Sequence, residues 1–313
     1  MNANNNLSLS EYPSYPKRFS PYKWYKPLLV CLLTGAFYLV FSAIIGIIGG
    51  VAASFQGYDI TSIVTGGYKN FDAYSAVGAL MSLGNIAIFI PSILIANRIV
   101  NARPFSSYSS AMGGFRFAEF FKSFGAALII VALPISILTF VTSPNTGNVK
   151  FTVVGFILCA VLSPLQCVAE EYMFRGLIMQ TFGSWIKFPI IPIIIQTALF
   201  AALHPYNSWG VIAVAFMGLI LGFCTCITKG LEAGSALHIA NNMTGFFITG
   251  FGIGGITSEV SFLDFLIPAI CCLLYLGFII LATKKFGWFC KAKKDDVAEF
   301  NAKIEAKNAQ KAA

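Results

Sequence analysis

The chain is predicted to be an all-α polytopic membrane protein with about eight transmembrane helices, on three observations. Of its 313 residues 57% are hydrophobic and only 11% charged; its mean hydropathy is +0.76; and the apolar residues gather in runs long enough to enter a bilayer. Such values exclude an ordinary soluble domain. The net charge of +8 needs no nucleic-acid partner, because the lysines and arginines fall where they would orient membrane spans and meet anionic headgroups. The expected partners are therefore the lipid bilayer and whatever the membrane domain acts on.

Residues 1–26 read as a cytoplasmic N-terminal segment. Eight apolar runs follow: Pro27 to Ala52, Ser75 to Asn97, Phe124 to Thr142, Phe151 to about Arg175, Phe188 to His204, Trp209 to Thr228, Gly234 to Thr249 and Leu263 to Thr283. Each approaches the ~17 to 25 residues that cross a ~30 Å core, the fifth and seventh being the shortest. The first run is too long for the apolar part of a signal peptide and has seven more behind it. Between the second and third, Arg116, Glu119 and Lys122 lie among five phenylalanines, the pattern of an interfacial helix. Pro91, Pro134 and Pro268 are expected to kink their spans. Gly46/Gly50 and Gly218/Gly222 are spaced for close helix contact. Residues 27–283 thus form a membrane domain, and 284–313 a polar tail holding a short solvated helix or a loose end.

With eight spans, nineteen basic residues fall on one side and two, Lys69 and Lys150, on the other. That bias places both termini in the cytoplasm. Seven of the eight cysteines lie inside spans and none forms a C-x-x-C pair, so they read as apolar packing.

What remains is a small polar set, and ionisable groups inside a membrane mark functional sites by default. Glu171 and Arg175 are four residues apart and can pair on one helix face. Glu170, turned about 100° away, is left without a local cation and is a candidate general base. His204 follows Phe200 by four and precedes Pro205, where a helix must kink or stop. His238 and Asn242 share a face. Glu170 and His204 are each 17 residues from Lys187, so an antiparallel hairpin brings them level. His238 is only nine residues past Lys229. It meets them if that hairpin projects beyond the membrane or if the seventh span begins deep. The polar site would then lie among helices four, five and seven.

Glu170-Glu171-x-x-x-Arg175, Phe200-x-x-x-His204 and His238-x-x-x-Asn242, in that order on successive apolar segments, resemble the three motifs of the CPBP family. That family comprises intramembrane proteases related to the CAAX prenyl endopeptidases and the bacteriocin-processing or Abi proteins. The resemblance covers about residues 151–249. It implies an intramembrane endopeptidase in a bacterial or archaeal plasma membrane, acting on a membrane-associated peptide or lipidated protein, such as a prenylated CAAX-type or bacteriocin leader substrate. It further implies that Glu170 and His204 activate water, that His238 and Asn242 support the water or the oxyanion, and that Glu171 and Arg175 assist.

Glu170, His204 and His238 are also the ligand types of catalytic zinc sites. They come from three separate helices with no histidine pair on any one, and Asn242 is a poor zinc ligand, so a metal-free reaction is slightly favoured. The alternative function is a transporter or a non-catalytic immunity or scaffold protein using the same polar cluster. Proton relays use the same residue types, but carriers place them in matching halves, whereas these lie in the second half alone.

Overall fold

The computed structural model describes residues 8–57, 71–143, 147–255 and 259–312, and every regular element among them is helical. Lys69, assigned above to the outer side, lies outside these described residues. The eight runs become α1 (Tyr25–Ser54), α2 (Ala76–Val100), α3 (Phe117–Thr142), α4 (Val153–Trp185), α5 (Ile190–Ala202), α6 (Ser208–Thr228), α7 (Glu232–Gly250) and α8 (Phe262–Phe286). A polar helix, α9 (Asp296–Ala312), follows. The four even-numbered helices from α2 to α8 all start with a side-chain cap. Ser75, Thr152, Asn207 and Ser261 each accept a hydrogen bond from a backbone N–H of the first turn, satisfying a donor where the chain re-enters the apolar layer.

Six of the helices are long and apolar enough to cross a membrane. The other two are α5, with 13 residues, and α7, which packs among α3, α4 and α6 with its first nine residues buried. An enclosed helix needs no apolar outer face. The membrane class therefore stands, with α7 as its central element. Proline acts through backbone register: Pro134 cannot donate to the carbonyl of Ile130, and a π-helical turn at Leu128–Ala132 precedes it.

Three expectations change. The segment Phe117–Ala127 is not a separate interfacial helix; it opens α3 and packs on α7, and Arg116 before it is buried. Helix α4 runs past Arg175 to Trp185, 33 residues or about 50 Å at ~1.5 Å per residue, well beyond a ~30 Å core. Gly46 meets open space, and Gly49 is the close-contact glycine, against Met81. The Gly218/Gly222 pair does lie against α5, beside Thr197 and Gln196.

The extra length of α4 is housed by protein. Tyr12, Tyr15 and Phe19 are fully buried, and Tyr12 donates to the carbonyl of Tyr108. Burial holds the Tyr12 phenol well above its ordinary range, against the opposing charge of Arg103. Gln180 accepts from Arg103 and donates to the Ser107 carbonyl at 3.2 Å. The α9 helix docks on the same segment through Phe19–Phe300 and an Asn301–Ser20 bond of 2.8 Å. A polar shell thus closes the lysine- and arginine-rich end of the bundle.

Candidate active site

Helix α4 supplies two adjacent acids at the edge of a π-helical stretch, Tyr172–Ile178. Such turns recur at functional sites because the extra residue re-aims side chains. Glu171 Oε1 accepts from Arg175 Nη1 at 2.9 Å and from His238 Nδ1 at 2.8 Å. Glu171 and Arg175 are both 0% exposed. Arg175 also donates to the Gly218 carbonyl at 3.3 Å and lies 4.5 Å from the centroid of Phe200. A cation on an aromatic face is stabilised where water cannot reach it.

His238 is held from both sides. Its Nδ1 carries the proton given to Glu171, and its Nε2 lies 3.4 Å from Glu170 Oε2. Helix α7 comes this close because Gly234, one turn before His238, has no side chain. A Cβ there would fall 3.1 Å from Glu171 Oε2 and 3.3 Å from Thr225 Oγ1. His238 and the two acids are therefore level. The long α4 and the buried start of α7 together remove the difference in depth read from Lys229.

Helix α5 stops at Ala202, two residues before His204 rather than just after it. His204 stands in the turn, and its Nδ1 bonds the Phe200 carbonyl at 2.8 Å. A carbonyl only accepts, so Nδ1 carries the proton and Nε2 is left for a cavity. Phe200 is the shared wall, its ring 4.7 Å from that of His204 and 5.9 Å from that of His238.

Two cavities meet at His204. One of about 190 Å³, among α5 to α8, is lined by His204, Tyr206, His238, Asn241, Asn242 and the apolar side chains of Met217 and Phe265. The other, about 370 Å³ between α1, α2 and α4, is lined by Glu170, His204, Phe174, Met81 and the Tyr38–Asn85 pair. The structure thus brings Glu170, Glu171, Arg175 and His238 into direct contact. His204 shares one cavity with Glu170 and the other with His238 and Asn242. Sequence reading missed Asn241, which donates to Asn242 Oδ1 at 3.0 Å and lines the same cavity. Its only signal was adjacency to the motif.

The donor set does not suit a metal ion. Both ring nitrogens of His238 already face carboxylates, and among the described residues no three His, Cys, Asp or Glu side chains are grouped to hold an ion.

Residues 150–244 match the model of the type II CAAX prenyl endopeptidase Rce1-like family. The uncharacterized protein YyaK of Bacillus subtilis (strain 168) is 29% identical over 167 residues, 49% of this chain and 55% of the relative, so the chain matches about half of that protein's length. No solved structure matches the chain. The matched stretch, which holds all seven motif residues, is thus similar to the Rce1-like CAAX prenyl endopeptidases, and it lies in a chain with six helices long and apolar enough to cross a membrane.

Proposed function

We propose that the chain is an intramembrane endopeptidase in which Glu170 and His204 activate a water molecule and His238 and Asn242 support the oxyanion. One observation carries this reading: His204 borders both cavities, with Glu170 on one and His238 and Asn242 on the other. A water between the Glu170 carboxylate and His204 Nε2 gives up its proton to Glu170 as it attacks the peptide carbonyl. The oxyanion then meets the Asn242 NH₂ and the His238 ring. Once Glu170 holds the proton, the cluster has lost one negative charge, which favours the oxyanion forming beside it in a site shielded from water. Glu170 finally returns its proton to the leaving amine.

The mostly apolar cavity walls suit a membrane-associated peptide, whether a prenylated CAAX-type C-terminus or a bacteriocin leader. The distribution of lysine and arginine supports a plasma-membrane orientation with both termini in the cytoplasm. The test is cleavage of a hydrophobic peptide library by purified protein in detergent, read by mass spectrometry. Wild type is expected to release products and Glu170→Gln none. A Glu170→Gln protein cleaving at the wild-type rate would remove Glu170 as the base, and an inert wild type would favour a transporter or scaffold.

A further inference from the structure

We propose that Arg116 is a positioning residue: the segment from Phe105 to Arg116 grips α4 and α7 together and fixes the register in which His238 falls between Glu170 and Glu171. Ser109 touches both helices. Its hydroxyl lies 2.6 Å from the hydroxyl of Tyr172, next to Glu171 on α4, and its carbonyl accepts from the N–H of Leu231, just before α7, at 2.8 Å. The ring of Phe105 stacks on Tyr172 at 5.3 Å. Ala111 donates to the Lys229 carbonyl at 2.9 Å, so the turn leading into α7 is held on both sides of Gly230.

Arg116 completes the grip. Its Nε and Nη2 fork onto the Glu232 carboxylate at 2.9 and 2.8 Å, and its backbone N–H adds a third bond at 2.9 Å. The remaining guanidinium donors reach the carbonyls of Thr228 at 2.8 Å and Phe289 at 3.1 Å. Glu232 is fully buried. A Cβ at Gly230 would fall 2.7 Å from Arg116 Nη2, so this turn is built around the fork. Glu232 opens α7 and His238 follows six residues later, about 9 Å along a rigid helix. A planar, bidentate pair fixes both the rotation and the axial position of the helix that carries it.

For catalysis the proposal rests on the endopeptidase reading; for geometry it does not. The chain has two histidines, so protein labelled with nitrogen-15 histidine shows two imidazoles, and His204→Gln assigns them. Arg116→Lys keeps the charge and loses the fork; it is expected to displace the His238 ring signals and leave those of His204 in place. Tyr172→Phe removes one hydroxyl from the Ser109 link and should move the same signals less, which keeps the test open if Arg116→Lys does not fold. On a cleaved peptide, kcat should fall up to about 10²-fold, the cost of a ~1 Å misplacement, at unchanged KM. Variants that melt at a lower temperature while His238 keeps its wild-type signals would overturn the proposal. Displaced signals in a protein whose wild type cleaves nothing would support the grip and sink the endopeptidase reading instead.

Discussion

Glu170 and Glu171 are adjacent in sequence, yet neutralising them should have unequal consequences for stability. Glu171→Gln preserves shape and keeps one oxygen to accept from Arg175 and His238, so the change is one of charge. Arg175 is 0% exposed, and among the described residues its Nε has no hydrogen-bond partner and Glu171 is the one acid it pairs with directly. Removing one member of a buried pair costs about 3–5 kcal/mol, because the survivor keeps its desolvation penalty. At roughly 2–4 °C per kcal/mol for a chain of this size, the melting temperature should fall by on the order of 10 °C. Glu170 has one long contact, 3.4 Å to His238, and opens onto a cavity where water can replace it. Glu170→Gln should therefore cost under about 1 kcal/mol. Thermal unfolding of the two variants in the same detergent, followed by tryptophan fluorescence, measures the difference. The paired replacement Glu171→Leu with Arg175→Met should recover much of the loss, since no charge is then stranded. A Glu171→Gln protein melting with the wild type, or a Glu170→Gln protein falling as far, would refute the division of roles between the two acids.

Gly234→Ala should cost about 1–3 kcal/mol and lower cleavage, because its methyl group would press on Glu171 Oε2 and part α7 from α4; a fully active, equally stable variant would contradict this. Cleavage should survive exhaustive chelation, and one equivalent of tightly bound zinc per active chain would decide against a metal-free reaction. A reporter fused after Ala313, a residue outside the described ones, is expected in the cytoplasm, and one inserted beside Glu259 on the outer face. Finding the C-terminal reporter outside would overturn the eight-helix orientation.

The helices were legible because apolar runs are a property of consecutive residues, and so were the pairs that one helix makes with itself. Glu171 and Arg175 bond as their spacing of four requires. What spacing could not reveal was depth. Gln180, Thr181 and Ser184 are polar enough for a hairpin that projects beyond the membrane, but only the structure shows that all three are buried beneath the N-terminal segment while α4 continues past them. Arg116 among phenylalanines has the pattern of an interfacial anchor. Its partner, Glu232, stands 116 residues away, and no local pattern announces such a pairing. The same limit hid how His238 meets both acids, since that contact depends on how deep α7 starts.

Helix α7 also explains why a hydropathy reading is weakest where the chemistry lies. Glu232, Ser235, His238, Asn241 and Asn242 make it the least membrane-like of the eight by composition, and it is absent from the six helices apolar enough to cross. Those residues are tolerable because α3, α4 and α6 surround it, and Glu232 and His238 find their charged partners inside the protein instead of meeting lipid. The shortness of α5 has the same origin. Its backbone ends at Ala202 so that His204 can stand in a turn beside two cavities, and the histidine's own Nδ1 satisfies the Phe200 carbonyl near the exposed helix end. Irregular backbone at membrane depth is stable only where it lines such a cavity. The two segments that fit a membrane least well by length or composition are thus the two that carry His204 and His238.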